Sequence, residues 1–307
     1  MGKVAFIFPG QGSQYVGMGK ELFENYSVAQ STFEEANRIL ERKLSDICFN
    51  GPEDQLKDTR NAQPSILTTS VAILRIMEEE GVQPQFVAGH SLGEYSALVA
   101  SKTIGFTDAL KLVQLRSKFM AEADPEGKGA MAAVLGLNRE AIAECLNDSL
   151  EVETANFNCP GQIVISGTKT GIAKVQEKVT AKGGKFIPLS VSGAFHSSLM
   201  KDAANQFRSA LDTVTWEEPL IELIANVNAR PVAKTDLKDS LYRQIFSSVL
   251  WEDTLNYLSE SGVDTFVEIG PGKVLSGLVK KTLKGATILN CEDLNSLKKA
   301  LAILKEV

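Results

Sequence analysis

Phe86-Val87-Ala88-Gly89-His90-Ser91-Leu92-Gly93-Glu94-Tyr95-Ser96-Ala97-Leu98-Val99-Ala100 is the stretch whose reading decides the fold. Its centre, Gly89-His90-Ser91-Leu92-Gly93, matches G-x-S-x-G, and a chain of this length and composition carries about 0.1 such matches by chance. The flanks add weight. The apolar run before the motif predicts a buried strand over 85–89, and the run after it predicts a helix over 92–101. A strand, a sharp turn and a helix form the setting in which a serine Oγ is thrust out at the carboxyl end of a strand. Glycine on both sides permits that turn. The competing reading is a serine that only caps the helix.

The same rhythm extends outward. A strand over 3–8 ends in Pro9-Gly10-Gln11-Gly12, helices are expected over 63–77 and 107–123, and a strand over 264–269 runs through Gly270-Pro271-Gly272 into a helix over 273–283. Repeated strand–glycine turn–helix succession predicts an α/β fold with a mainly parallel sheet. The middle breaks the pattern. After the polar joint Asp124-Pro125-Glu126-Gly127-Lys128-Gly129, the chain reads as strand (130–135), helix (139–146), strand (150–156), strand (162–166), helix (170–182) and strand (186–190). That β-α-β-β-α-β order is the ferredoxin-like one. The expected division is a large hydrolase-like subdomain of 1–123 and 197–307, with a small ferredoxin-like subdomain of 124–196 inserted in it.

Composition excludes other classes. The chain has 307 residues, 44% hydrophobic and 23% charged, which is enough apolar material for a sizeable core and not a disordered composition. Thirty-eight acidic against 32 basic residues leave a net charge of −6 and no basic surplus for broad nucleic-acid binding. The cysteines, Cys48, Cys145, Cys159 and Cys291, are scattered without a C-x-x-C pair, so neither a zinc site nor a disulfide framework is expected. Neither a signal peptide nor an apolar run of membrane-spanning length is read, and a cytoplasmic location without a membrane partner is expected.

Only two histidines are present, His90 and His196. A serine hydroxyl needs a base beside it. His90 adjoins Ser91, but the sharp turn sends neighbouring side chains in different directions. His196, in the return from the small domain, is therefore the favoured base. The group that orients its ring is not readable: an Asp, a Glu or a backbone carbonyl would serve. Arg116 lies on the apolar stripe Ala109, Leu112, Val113, Phe119 and Met120 of its helix. A buried guanidinium must meet an anion, either an internal carboxylate or a carboxylate of the substrate. The glycine loops lack both the third glycine of a dinucleotide site and the P-loop pattern. A better use for the loop after the first strand is main-chain N–H groups aimed at an oxyanion, with Leu92 and Gln11 the candidate donors; ordinary turn glycines are the alternative.

These segments together resemble the malonyl-CoA:acyl carrier protein transacylases and the related acyltransferase domains of polyketide synthases. The likeness rests on Phe8-Pro9-Gly10-Gln11-Gly12-Ser13-Gln14, Gln63-Pro64, Gly89-His90-Ser91-Leu92-Gly93-Glu94-Tyr95 and Arg116 within Leu115-Arg116-Ser117-Lys118-Phe119-Met120. Asn158-Cys159-Pro160-Gly161-Gln162, Phe195-His196-Ser197 and Glu268-Ile269-Gly270-Pro271-Gly272 extend it over nearly the whole chain. The resemblance implies a ping-pong transfer of malonyl from malonyl-CoA to acyl carrier protein, with Ser91 as nucleophile and His196 as base and then acid. It also implies that the main-chain carbonyl of Gln244 is the histidine's partner, that the Gln11 and Leu92 amides form the oxyanion hole, and that Arg116 grips the malonyl carboxylate. Met120 and Phe195 then line the acyl pocket, no metal or cofactor is needed, and the carrier docks on basic residues, for which Lys280, Lys281 and Lys284 are the candidates. Ala194 stands where a proline is frequent before the aromatic residue, and Ser247 where many members carry asparagine. A thioesterase that lets water resolve the same acyl-serine, and a non-catalytic scaffold on the same fold, are the rival readings.

Overall fold

The computed structural model describes residues 2–146, 151–191 and 193–305. Two sheets organise it. The first contains β1 (Lys3–Phe8), β2 (Phe86–Gly89), β7 (Glu222–Ile224), β8 (Val263–Ile269) and β9 (Thr287–Cys291) in the order β7-β2-β1-β8-β9, and every neighbouring pair is parallel. The second contains β3 (Gly129–Leu135), β4 (Val152–Cys159), β5 (Gln162–Thr168) and β6 (Lys185–Leu189) in the order β4-β5-β3-β6, all antiparallel. Helices Arg139–Leu146 and Lys169–Ala181 connect its strands, so the ferredoxin-like order expected from the sequence is the order observed.

The central strand shows why the first sheet forms. In β1 only Lys3 escapes burial, which suits a parallel strand covered on both faces. Its residues alternate between two cores. Val4, Phe6 and Phe8 join the cluster under helices Thr59–Glu79 and Phe106–Glu122, whereas Ala5 and Ile7 join Trp251, Leu255 and Leu275 on the opposite face. A separate small core of Ala132, Val134, Ile163, Ile165, Ile172 and Val175 fills the antiparallel sheet. No helix among the described residues is long and apolar enough to cross a membrane.

The sequence reading differs from the structure at several ends. The helix expected over 63–77 runs Thr59–Glu79, with Pro64 inside it and the Asp58 side chain accepting from Arg60 N at its start. Pro64 has no N–H for the Arg60 carbonyl four residues back, and Arg42 Nη2 donates to that oxygen instead at 3.1 Å. The strand expected over 150–156 is Val152–Cys159, lengthened by register shifts against β5; Leu150 lies outside the described residues. Helices Lys20–Asn25, Ser27–Ile39, Leu44–Asn50 and Glu53–Lys57, and the edge strands β7 and β9, had not been anticipated. The five- to seven-residue helices and the three- and five-residue strands carry too few residues for a period to show, whereas Ser27–Ile39 buries Ala29, Thr32, Phe33 and Ala36 at helical spacing, a signal the sequence does hold.

Close backbone approach joins the first loop to the serine turn. A Cβ on Gly93 would sit 2.0 Å from the Phe8 carbonyl oxygen, and one on Gly10 would sit 2.4 Å from that of His90. Glycine at both positions lets the loop after β1 lie directly against the elbow after β2.

Candidate active site

Ser91 sits at the carboxyl end of β2 with φ +51°, a left-handed conformation that a residue with a Cβ adopts only under constraint. The constraint is visible. Ser91 N donates to Asn226 Oδ1 at 2.7 Å, Asn226 Nδ2 donates to the Gly89 carbonyl at 2.6 Å, and Gln244 Nε2 donates to the Ser91 carbonyl at 2.9 Å. The following helix, Gly93–Ala100, is buried on every face and fixes the turn from the other side.

His196 meets the serine from the return segment after β6. It too has positive φ, +58°, in a turn pinned by Ser197 Oγ donating to Ala194 O at 2.7 Å and by Ser198 N donating to Glu153 Oε1 at 3.0 Å. Ser91 Oγ lies 2.8 Å from His196 Nε2, and His196 Nδ1 lies 2.8 Å from the Gln244 main-chain oxygen. A carbonyl only accepts, so Nδ1 carries the proton and Nε2 presents its lone pair to the serine hydroxyl. Burial first, then the positive charge of Arg116, pushes the imidazole down to about 3. It stays neutral, as a resting base must.

His90 goes elsewhere. Its Nε2 is 2.9 Å from Asn158 Oδ1 and its ring meets Trp251 edge-on at 5.6 Å, so the elbow's own histidine does not reach Ser91 Oγ with a ring nitrogen.

Arg116 is fully buried, as its place on the apolar stripe demands. Its Nη1 donates to Gln63 Oε1 at 2.7 Å, and its Nη2 donates to Gln244 Oε1 at 3.0 Å and Ser91 Oγ at 3.1 Å. The guanidinium lies 5.5 Å from the centre of the Tyr95 ring. Among the described residues no carboxylate comes within ion-pairing distance of it, and its Nε has no partner. The internal salt bridge that the sequence left open is therefore absent there. A cation held by neutral groups beside a nucleophile is a ready receptor for an incoming anion.

A cleft of about 680 Å³ opens over these groups, lined by Gln11, Gln63, Ser91, Met120, Phe195 and His196. Gln11 is anchored by Nε2 donating to Thr59 Oγ1 at 3.0 Å. Neither Gln11 N nor Leu92 N finds a hydrogen-bond partner among the described residues, while the neighbouring Gly93, Glu94 and Tyr95 amides are all bonded within the elbow. Among the described residues no group of three or more His, Cys, Asp or Glu side chains could hold a metal.

A hydroxyl, a neutral imidazole oriented by a carbonyl, two free amides and a buried cation are together equipped for acyl transfer. A family model described as "Acyl transferase domain" matches residues 5–302. The chain belongs to the acyl transferase domain family. This acyl transferase is 48% identical to the malonyl CoA-acyl carrier protein transacylase of Bacillus subtilis (strain 168), with 100% of this chain and 98% of that protein covered. The crystal structure of malonyl CoA-acyl carrier protein transacylase from Clostridium perfringens superposes with TM-score 0.96 at 43% identity, covering 99% and 98% of the two chains. A malonyl-transacylase in complex with a type II PKS acyl-carrier protein gives TM-score 0.95 at 39% identity, covering 98% and 99%.

Sequence reasoning about this acyl transferase missed Gln63, Asn226 and Glu94, which brace Arg116, Ser91 and Gln244. Gln63 and Glu94 stood inside the motifs, yet nothing in their spacing says which atoms they hold. Asn226 is 135 positions from the serine whose amide it binds and carries no local signal.

Proposed function

We propose that this acyl transferase carries malonyl from malonyl-CoA to the phosphopantetheine thiol of an acyl carrier protein, supplying malonyl units for fatty acid synthesis. One observation carries the reading: the buried Arg116 guanidinium, with no carboxylate at ion-pairing distance among the described residues, 3.1 Å from the nucleophile. An acyl chain ending in a carboxylate places a negative charge there when its other end reaches Ser91.

In this reading His196 Nε2 takes the Ser91 proton as Oγ attacks the thioester carbon. The Gln11 and Leu92 amides receive the oxyanion, and collapse of the tetrahedral adduct breaks the C–S bond, His196 returning the proton to the leaving thiolate. The carrier's thiol then gives its proton to His196, attacks the acyl-serine and leaves with malonyl, and the proton returns to Ser91. The Gln244 carbonyl keeps Nδ1 protonated throughout. Met120 and Phe195 shape the acyl pocket; Gln63 Nε2, 3.8 Å from Met120 Sδ, ties that wall to the Arg116 network.

For the carrier surface we keep Lys280, Lys281 and Lys284. All three are exposed, and Lys281 Nζ donates to Gln162 Oε1 at 3.2 Å, at the start of β5, just past the turn that follows β4 and the His90 partner Asn158. We divide the chain as 1–123 with 197–307, and 124–196, a division supported by the antiparallel sheet lying wholly within 129–189. A cytoplasmic location goes with the reading, and cell fractionation tests it.

Intact mass after mixing with malonyl-CoA tests the reaction. One malonyl group should appear on the wild type, vanish on addition of holo-carrier protein and be absent in Ser91→Ala. Release of free malonate at a rate that carrier protein does not suppress would instead mean hydrolysis.

A further inference from the structure

Glu94 lies in the first turn of the nucleophile's helix, three residues after Ser91, and only 1% of it is exposed. A helix N-terminus favours an acidic side chain, but at a surface position that preference needs no burial. Here burial pushes the carboxyl up to about 7, so the fold holds this acid where its charged form is disfavoured. A leucine would fill the space without that cost, and without an acceptor.

The bonds of Glu94 suggest what is gained. Its Oε2 accepts from Gln244 Nε2 at 2.7 Å and from Asn226 N at 3.2 Å. Both donors lead to the reacting groups. Gln244 has one amide with two unlike ends: its Nε2 gives its hydrogens to Glu94 and the Ser91 carbonyl, and its Oε1 receives Arg116 Nη2. Turned end for end, the amide would set its NH₂ against the guanidinium N–H and its oxygen against two acceptors. Glu94 and the Ser91 carbonyl together forbid that flip. Asn226, held at its main-chain N by Glu94, spends its side chain on Ser91 N and the Gly89 carbonyl. The Ser91 amide is thereby occupied, which leaves Leu92 N as the free donor of the elbow.

We propose that Glu94 is a positioning residue of the transfer: through the Gln244 amide and the Asn226 main chain it sets the Arg116 fork and the Ser91 elbow in register with each other. This rests on the malonyl-transfer reading. Glu94 touches neither substrate nor reacting atom; it decides which end of Gln244 faces the arginine. A cap that served only stability would lower the melting temperature without changing which acyl group is preferred.

The experiment compares Glu94→Gln, Glu94→Asp and Glu94→Ala with wild type in single-turnover acylation by malonyl-CoA and by acetyl-CoA, followed by intact mass alongside melting temperature. Glu94→Gln keeps an acceptor oxygen at the same reach and is expected to keep rate and malonyl-over-acetyl preference close to wild type. Glu94→Asp withdraws the acceptor by one methylene, and with Glu94→Ala should slow malonyl acylation about ten- to hundredfold, the range for losing a hydrogen bond to a charged group. Both should also shrink the malonyl-over-acetyl ratio. If the alanine variant does not fold, the aspartate variant decides. A folded Glu94→Asp with wild-type rate and ratio overturns the proposal, as does a loss that is equal for both acyl groups. Wild-type protein that takes no malonyl at all would instead overturn the transfer reading itself.

Discussion

Replacing Arg116 with alanine is expected to invert the acyl preference of this protein rather than merely slow it. The guanidinium is fully buried, is held by Gln63 Oε1 and Gln244 Oε1, and has no carboxylate partner among the described residues. When a malonyl carboxylate enters, the two form a desolvated pair. Truncating one member of such a pair costs about 2–5 kcal/mol, which is about 30- to 5,000-fold in kcat/KM. Acetyl-CoA offers no carboxylate and escapes that penalty. A second effect is electrostatic. Burial and then the Arg116 charge hold His196 down at about 3, so its neutral, basic form persists far below the usual histidine range and no acid limb from it falls between pH 5 and 8. Without Arg116 the folded value rises toward the ordinary 6.5, and acylation should fall off at a higher pH than in wild type. Burial, the larger cause, remains in place and keeps the imidazole below that ordinary value. Arg116→Lys separates the two effects: it keeps the charge and hence the low acid limb, but loses the fork and most of the malonyl preference. The assay is kcat/KM for malonyl- and acetyl-CoA from pH 4.5 to 8.5, with melting temperature as the folding control. Equal losses for the two substrates would make Arg116 a structural cation. An acid limb that stays put would refute the electrostatic coupling.

Three further outcomes are expected. His196→Ala should retain the fold yet lose about 10²–10⁴-fold in kcat/KM for malonyl transfer, the usual worth of a positioned general base, and near-normal turnover would remove His196 from that role. Gly93→Ala drives a Cβ to 2.0 Å from the Phe8 carbonyl, so urea unfolding should show a loss of about 1–3 kcal/mol or more, together with impaired acylation as the first loop is pushed from the elbow; an unchanged midpoint would deny that the contact is tight. Lys280→Glu with Lys281→Glu and Lys284→Glu should raise KM for the carrier protein while leaving acylation by malonyl-CoA unchanged, and an unaltered KM would move the docking surface elsewhere.

Much of the site was legible because its signals are local. The elbow shows as an apolar strand, two glycines and an apolar helix within 15 residues, and Arg116 shows as a charge on a stripe of period 3.6. The small sheet was readable as element order, since its strands follow one another through short helices and one turn. What stayed hidden is of two kinds. The partner of His196 is a main-chain oxygen, which every residue possesses, so no residue type marks Gln244 and only family resemblance singled it out. The braces are long-range: Gln63, Asn226 and Glu94 meet Arg116, Ser91 and Gln244 across separations of 53, 135 and 150 positions.

By itself, then, the sequence determined the class of the large sheet and the ferredoxin-like unit and pointed to Ser91 and His196, because backbone propensity and side-chain periodicity act over a few turns of chain. Tertiary structure decided the strand order β7-β2-β1-β8-β9, the left-handed backbones of Ser91 and His196, and the neutral cradle around Arg116. Those depend on which segments pack together, and it is burial by those segments that pushes His196 down and Glu94 up. The two histidines of the composition show the division plainly: counting them narrowed the choice of base, and the fold assigned one to Asn158 and Trp251 and the other to Ser91.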